Sequence, residues 1–532
     1  MQHYGAVPRG ESEDTVMPAA VHNPASLALA RREWVDDVDE KEGAAEGADS
    51  VKRSLVPPAR GSSKQVRGLT GELATGCTLK RVQLGIMGFL MELVCYADRT
   101  NISLAIVEME KQFGWKSNVD GQILGAFFAG YACTQVYGGW AAERYGGKPV
   151  LLYAVILWSM FTLLTPPSAG VSVGLLLLTR VLMGLGEGVS LPTMHHLIAV
   201  WIPASERSRF VTLCTSGQFA GTVAAMACSP MVAQSWASIF YLWGVVGFAW
   251  AALWWWCGYS TPQSHPTISE DELAFIHRTV EPQPPPQQQH QRASAPPWRR
   301  FLCNAPFFAC VVAHFCHNWG WYLLLSWLPK YFKDVLGVST AKTGFMLIAP
   351  YTAPFVASNV SGHVSDALTN RGGWSLTAVR KLMQTIAFVG PMSCLAALCW
   401  APQKDLSARA AVALSSGALG FGAFSHSGYW SNVVDLSPRY AGVMIGISNT
   451  IATLPGVLAN LSTGYILQNT GQDWTLVFMV AITIYAVGLI VFLCYASGEP
   501  QSFDVAAAAA VRSIGNGSLN DDDCDDEDAI MD

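Results

Sequence analysis

Arg180 and Glu187 stand seven residues apart inside one apolar stretch, Thr179-Arg-Val-Leu-Met-Gly-Leu-Gly-Glu-Gly-Val-Ser-Leu-Pro192. The stretch is long enough to cross a bilayer, where a central Arg or Asp costs roughly 2.5–3.5 kcal/mol on insertion scales. Charges placed there must face a protein interior or a watery cavity. Seven residues make about two helical turns, so both side chains share a face. Gly184, Gly186 and Gly188 thin that face for the close approach of another helix. Arg180 can hold an anion with its planar fork of donors. Glu187 can be its partner or, as a buried carboxyl, a proton carrier. The plainer alternative is that the two neutralise each other or neighbouring helices.

Other polar residues interrupt apolar segments in the same way. Tyr96-Ala-Asp98-Arg99-Thr-Asn101 offers Arg99 as an anion ligand or as one member of a fixed ion pair. Asp98 is a candidate for sodium coordination, and Glu92 shares the face of Arg99. Cys316-His317-Asn-Trp-Gly-Trp-Tyr322 places a titratable imidazole in another segment, either a proton sensor and anion ligand or a hydrogen-bonded core residue. His426 has the same two readings, whereas His195 and His196 sit near the end of a segment and are expected at an interface or in a loop. No His, Cys and Asp set has metal-ligand spacing, and no phosphate-binding loop is present. No cofactor is therefore expected beyond a coupling ion, sodium or proton.

The elements that must carry these residues are helices. Of 532 residues, 51% are hydrophobic and 14% charged, against about 25% charged for an average soluble domain. This composition belongs to a polytopic membrane protein. Apolar segments of spanning length fall near 82–107, 119–141, 149–166, 173–199, 208–233 and 237–259, then near 303–328, 342–364, 379–401, 409–433, 440–467 and 474–497. The reading is all-α, with twelve transmembrane helices in two six-helix halves, 80–259 and 303–498. A disordered tail is expected over 1–79, a hydrophilic linker over 260–302 and an acidic tail over 499–532. Within the linker, Ser269-Glu-Asp-Glu272 predicts a short helix through about Val280, and Pro284-Pro-Pro-Gln-Gln-Gln-His290 predicts a spacer. The 13 cysteines are scattered through apolar segments, with no CxxC pair, and read as small core residues.

The halves repeat. Gly139-Trp-Ala-Ala-Glu143-Arg144 follows the second segment and Gly362-His-Val-Ser-Asp366, with Arg371 close behind, follows the eighth. Glu143, Arg144, Asp366 and Arg371 suit a conformational gate, since charges at adjacent helix ends can pair and meet helix dipoles; a simple charged turn is the alternative. One set of loops carries Arg144, Lys148, Arg207, Arg209, Arg278, Arg292, Arg299, Arg300, Arg371, Arg380, Lys381 and Arg439. The opposite set carries Lys111, Lys116, Lys330, Lys333, Lys342, Lys404 and Arg409. The longer list marks the first face, with both termini, as cytosolic. Paired six-helix halves place a substrate site at their interface near the bilayer midplane.

These strings resemble the major facilitator superfamily, and within it the anion:cation symporter family of vesicular glutamate transporters, sialin and type 4 plant phosphate transporters. The resemblance rests on Asp98-Arg99-Thr-Asn-Ile-Ser103, Gly184-Leu-Gly-Glu-Gly188 with Pro192, Ser205-Glu-Arg-Ser-Arg209, His314-Phe-Cys-His-Asn-Trp-Gly320, Val379-Arg-Lys-Leu-Met-Gln-Thr385 and Thr463-Gly-Tyr-Ile-Leu467, and spans residues 80–500. It implies alternating access, with an anion moved against a sodium or proton gradient. It carries family positions onto Arg99, Arg180, Glu187, Tyr131 and Tyr322; with the residue reading, Arg99, Arg180, Tyr131, His317 and Tyr322 are expected to bind substrate, and Glu187 and Asp98 to couple the ion. The vesicular glutamate branch has Arg where this chain has His317 and His where it has Leu124. His317 matches the plant plastid branch, which is associated with inorganic phosphate and in one case ascorbate. Glu92 fits no pattern of the family.

The expectation is a monomeric secondary transporter of a small anion, inorganic phosphate first, in contact with lipid and with no nucleic-acid partner. The alternative is an organic anion such as ascorbate, a sialic-acid-like sugar or another carboxylate. A reading from another class is a receptor that binds an anion without moving it. An enzyme is not expected, because no nucleophile–base set emerges. Plastid envelope, endomembrane and plasma membrane are all open.

Overall fold

The computed structural model describes residues 79–279, 300–301, 303–400, 407–437 and 440–501. The expected tails up to residue 78 and from 502 onward, the Pro284–His290 spacer, and Arg292, Arg299, Lys404 and Arg439 lie outside the described residues. Regular structure among the described residues is helical throughout. The first half comprises α1 (Lys80–Phe113), α2 (Ser117–Tyr145), α3 (Gly147–Val171), α4 (Val173–Glu187), α5 (Ser190–Trp201), α6 (Ala204–Ala227), α7 (Ser229–Gln234) and α8 (Trp236–Cys257). A linker helix, α9 (Glu270–Thr279), follows. The second half comprises α10 (Ala305–Leu336), α11 (Thr340–Asn370), α12 (Leu376–Trp400), α13 (Ala408–Gly422), α14 (Tyr429–Leu436), α15 (Ala441–Asn469) and α16 (Trp474–Tyr495).

Among the described residues, seven helical stretches are long and apolar enough to cross a membrane: Gly147–Val171, Val173–Trp201, Arg209–Gln234, Trp236–Cys257, Leu376–Trp400, Ala441–Asn469 and Trp474–Tyr495. The other five of the twelve expected spans are α1, α2, α10, α11 and the broken α13–α14. The first four run 34, 29, 32 and 31 residues, ample for a bilayer at 1.5 Å per residue. These carry more polar residues, because several of their side chains face protein rather than lipid. The first helix of each half ends alike: α1 at Gly114 (φ 67°) and α10 at Gly337 (φ 63°), both left-handed caps that glycine adopts without Cβ strain.

The fourth span of each half, expected as one helix, is broken. Helix α4 stops at Glu187 and α5 restarts at Ser190, with Ser190 Oγ donating to the Glu187 carbonyl at 2.6 Å. In the second half a 3-10 turn, Ala423–His426, separates α13 from α14, and Gln384 Oε1 accepts from Tyr429 N at 3.0 Å. A break inside a membrane needs such replacement partners for the freed backbone groups.

The linker helix departs from its expected cap. Ser269 Oγ accepts from Glu272 N at 3.2 Å, as the motif predicts. The Glu272 carboxylate, however, turns away and accepts from Lys80 N (3.0 Å) and Arg81 N (3.1 Å). It caps α1 instead, where the positive end of the helix dipole favours a carboxylate. Helix α9 thus marks the end of the bundle at which α1 begins, here termed the linker side.

The halves meet most firmly at the far end. Lys330 Nζ reaches Glu110 Oε1 at 2.6 Å and Asp120 Oδ2 at 2.7 Å, and Lys333 Nζ reaches Glu110 Oε2 at 3.4 Å. Thr340 Oγ1 donates to Glu108, and Gln472 Nε2 to Ser117 Oγ at 2.9 Å. Below these, α2 packs against α15 with Gly121 against Gly464, a small-residue contact that lets backbones approach where lipid supplies no hydrophobic drive. Toward the linker side the hydrogen bonds joining the halves run as far as Gln135, whose amide donates to Thr453 Oγ1 (3.0 Å) and accepts from Asn449 Nδ2 (2.7 Å). The remaining ten residues of α2, about 15 Å of helix, carry the exposed side chains Val136, Tyr137, Trp140 and Tyr145. The halves are closed at the far end and part toward the linker.

Candidate functional site

Two polar clusters lie in the bundle interior, one in each half, with Tyr131 one helical turn on the far-end side of Gln135. The first lies in the N-terminal half, among α1, α2, α4 and α6. Arg99 and Glu187 form an ion pair, Nη2 to Oε2, at 3.2 Å, with side chains only 3% and 0% exposed. Cys95 Sγ donates to the same oxygen at 3.2 Å. The Arg99 guanidinium sits 4.6 Å from the Tyr131 ring centroid, 4.5 Å from Tyr96 and 5.1 Å from Phe127. Aromatic faces stabilise a desolvated cation, so the ring cage and Glu187 together hold Arg99 charged inside the bundle. Glycines make this geometry reachable. A Cβ on Gly184 would strike the Phe127 carbonyl and one on Gly130 the Val181 carbonyl, so α2 and α4 pack backbone to backbone as the glycine pattern predicts.

Arg180 does not pair with Glu187. Its guanidinium lies on the Phe127 ring at 5.4 Å, and Nη1 donates to Met183 Sδ at 3.1 Å. It is 1% exposed, and Asp98 and Glu187 balance its charge at longer range. The sequence suggested two arginines gripping an anion from opposite helices. The structure places both, from different helices, against one ring, with Arg180 buried. The seven-residue spacing does put Arg180 and Glu187 on one helix, but α4 packs on α2 and α3, and it is the Arg99 side chain of α1 that reaches Glu187. Asp98, 0% exposed, accepts from Asn101 Nδ2 at 3.3 Å.

The second cluster lies in the C-terminal half and is built of imidazoles, amides, hydroxyls and rings. His317 Nδ1 is 3.3 Å from Ser425 Oγ and its ring is 5.9 Å from that of Tyr429. His314 Nδ1 is 2.9 Å from Ser448 Oγ; its ring stacks on Tyr429 at 4.8 Å and meets Trp430 edge-on at 5.5 Å. Asn318 Nδ2 donates to the Ala452 carbonyl at 2.7 Å. Tyr322 crosses the divide: its ring packs on Phe128 of α2 at 4.4 Å, and it interacts electrostatically with both Arg99 and Tyr429. Arg99, Tyr131 and Tyr322 are thus brought together, while His317 adjoins Tyr429 in the other half; each is buried but with a small exposed fraction.

The four expected gate residues are not brought together. Glu143, Arg144, Asp366 and Arg371 are all exposed and stand at the linker side, where the halves are apart. Nearby, Arg380 makes the ion pair that the sequence did not single out, to Asp435 at 2.6 Å, with further bonds to Ser365 Oγ and the Ser427 carbonyl. These bonds lie within the C-terminal half and explain the Val379–Thr385 string as structural. Also missed were Gln135, the His314 stack and Lys330. The visible signal for Gln135 was an amide inside a spanning segment. For Lys330 there was none, since it reads as an ordinary loop cation at a helix end. The described cysteines are free thiols, and no group of metal-ligating residues occurs among the described residues.

Comparison with known proteins agrees with this architecture. Residues 88–460 match the family model described as Major Facilitator Superfamily. The chain is 38% identical over 456 residues to the chloroplastic ascorbate transporter of Arabidopsis thaliana, covering 84% of this chain and 82% of the relative. It is 38% identical over 423 residues to the chloroplastic sodium-dependent phosphate transport protein 1 of the same plant, covering 79% and 80%. Among solved structures, the inward-open xylose transporter XylE from E. coli superposes with a TM-score of 0.62 at 13% identity, over 81% of this chain and 99% of that one.

Proposed function

This chain belongs to the major facilitator superfamily, within its anion:cation symporter group, and from that premise we propose that it carries inorganic phosphate in symport with protons. It is a multi-pass integral membrane protein and a secondary transporter, not an enzyme. The substrate, the coupling ion and the roles of individual residues are the proposal.

The observation that carries it is the buried Arg99–Glu187 pair, for which access from the linker side is part of the proposal. An anion arriving from that side meets one guanidinium already desolvated, with Tyr131 and Tyr322 beside it. To bind, the anion takes the place of Glu187 on Arg99. Glu187 is then a buried carboxylate without its cation, an arrangement costing several kcal/mol unless it is neutralised. Taking up a proton neutralises it, so anion and proton bind together. A charge inventory supports the same reading: Glu92, Asp98 and Glu187 are buried with only Arg99 and Arg180 in the N-terminal core, an excess of one carboxyl that a proton cancels. Arg180, fixed behind Phe127, serves as the counter-charge that keeps Asp98 and Glu187 in place. Glu143, Arg144, Asp366 and Arg371 would close the linker side when the halves rock the other way. On this reading the linker side faces the cytosol or the equivalent compartment, and a plastid envelope is the first membrane to examine.

A second substrate reading is ascorbate or a related hydroxylated organic anion. The neutral donors and rings of the C-terminal cluster, His314, His317, Asn318, Tyr429 and Trp430, favour it, because a phosphate ion gives them little to recognise.

The test is uptake of labelled phosphate, and separately of labelled ascorbate, into proteoliposomes with sodium and pH gradients imposed independently. Phosphate accumulation driven by a pH gradient and lost in Glu187→Gln supports the proposal. Accumulation of ascorbate alone moves the protein to the organic-anion reading. Binding with no exchange of label across the membrane would leave a receptor.

A further inference from the structure

Glu92 is a buried carboxyl that the mechanism above leaves without a role. It lies on α1, two turns before Arg99 and on the same face, with Cys95 between them. It is 2% exposed. Its Oε2 accepts from Gln218 Nε2 of α6 at 3.0 Å, while Oε1 is buried without a partner. Helix α6 comes this close because Gly217 faces Glu92: a Cβ there would stand 3.1 Å from Glu92 Cβ. Gln218 itself is half-buried. A carboxyl in this position has an enclosed side toward the ion pair and a polar contact on a helix that borders the outside of the cluster.

The titratable and charged groups around it are few. Cys95, Tyr96 and Arg99 face it from α1, Tyr131 from α2, Glu187 from α4 and Cys214 from α6. Of these, Glu187 is the sole carboxyl, and its Oε1, like that of Glu92, has no hydrogen-bond partner. Glu92 and Glu187 both interact with the Arg99 charge, each has an idle oxygen, and the two cannot both stay ionised cheaply. A proton that leaves one is favoured on the other.

We propose that Glu92 is the proton relay of Glu187. When the anion departs and Glu187 closes on Arg99, the Glu187 O–H bond breaks and the proton forms a new O–H bond on Glu92. Glu92 later releases that proton past Gln218 to the linker side. Binding runs the two transfers in reverse, and no electrons change hands. Glu92 does not touch the anion. The inference rests on the proton-coupled reading of the Arg99–Glu187 pair.

The experiment compares two modes of transport in proteoliposomes, with labelled phosphate and labelled ascorbate as the probes and a trapped pH dye reporting protons. Counterflow at equal pH needs the anion site but no net proton movement; gradient-driven uptake needs both. Glu92→Gln keeps the size of the side chain and can still bond Gln218. It is expected to hold counterflow within about twofold of wild type while net uptake and the dye signal fall at least about tenfold, the low end of what a positioned proton-transfer group contributes. Glu92→Asp restores part of the loss. Gln218→Leu, which leaves the carboxyl and removes its partner, gives the same split more weakly. Net uptake and proton movement equal to wild type in Glu92→Gln overturn the relay, and so does an equal fall in counterflow and net uptake. If the wild-type protein moves either anion without moving protons, the proton-coupled reading itself fails, and the relay with it; that result shows in the wild type, before any variant is compared.

Discussion

The two halves share a fold and divide the chemistry unequally. Around Arg99 in the N-terminal half, three carboxyls (Glu92, Asp98 and Glu187) and two guanidinium groups are buried. In the C-terminal half the corresponding region holds imidazoles, amides, hydroxyls and rings, and the buried cation, Lys330, belongs to the far-end lock instead. Both fourth spans are broken, one just after Glu187 and the other at the 3-10 turn that supplies Ser425 to His317. The same interruption is therefore used once to seat a charge and once to seat a neutral hydrogen-bonding group. On the proposed reading, ion coupling and substrate selection would fall to separate halves, one switching by charge and the other selecting by hydrogen bonds and rings.

The comparison breaks most directly at Arg99. Arg99→Ala leaves Glu187 buried without its partner, a loss of about 3–5 kcal/mol if the carboxylate stays charged. It is expected to abolish uptake of phosphate and ascorbate alike, with thermal unfolding measured in detergent reporting the lost stability. Arg99→Lys keeps the charge without the planar fork and should recover stability more than transport. Glu187→Gln comes next: pH-driven accumulation should fall about 100-fold while exchange of label survives. Accumulation unaffected by this change would make the pair a static brace.

His317→Ala sharpens the other side. Losing one neutral hydrogen bond, about 1 kcal/mol, should raise the apparent KM about five- to tenfold and leave the pH profile of uptake unchanged. A shifted pH profile would put His317 in the coupling machinery and dissolve the contrast between the halves. The smallest effect is expected at the far end. Lys330→Met removes the cation that joins Glu110 and Asp120, weakening closure by about 1.5–3 kcal/mol, the worth of hydrogen bonds to charged groups. Transport should drop a few-fold, and a Gln472→Cys reporter should label faster from the far side. Unchanged labelling would mean that helix packing, and not the ion pairs, holds that end shut.

Much of this was legible in the chain itself. Long apolar segments with a polar interval after the sixth can bury their backbone groups only as membrane helices, so the helical class and the two halves follow from hydropathy and repetition. The presence of buried charge at Arg99, Arg180, Glu187, Asp98 and Glu92 follows in the same way, because a charge in a spanning segment must turn inward. The glycines of the fourth span also announced a close helix approach, and Phe127 and Tyr131 of α2 now occupy it. Pairing was another matter. Spacing along one helix says which side chains share a face, but the partner comes from whichever helix packs there, and that helix can be a hundred residues away. Only the tertiary fold, which brings the Arg99 side chain of α1 across to α4 while α4 itself packs on α2 and α3, gave Glu187 to Arg99 and left Arg180 on the Phe127 ring. Only the parting of the halves toward the linker left Glu143, Arg144, Asp366 and Arg371 exposed, while Lys330, an ordinary cation in sequence, became the link between Glu110 and Asp120. Composition fixes that charges must be buried together; tertiary contact, acting at distances of 3 to 5 Å, decides which ones.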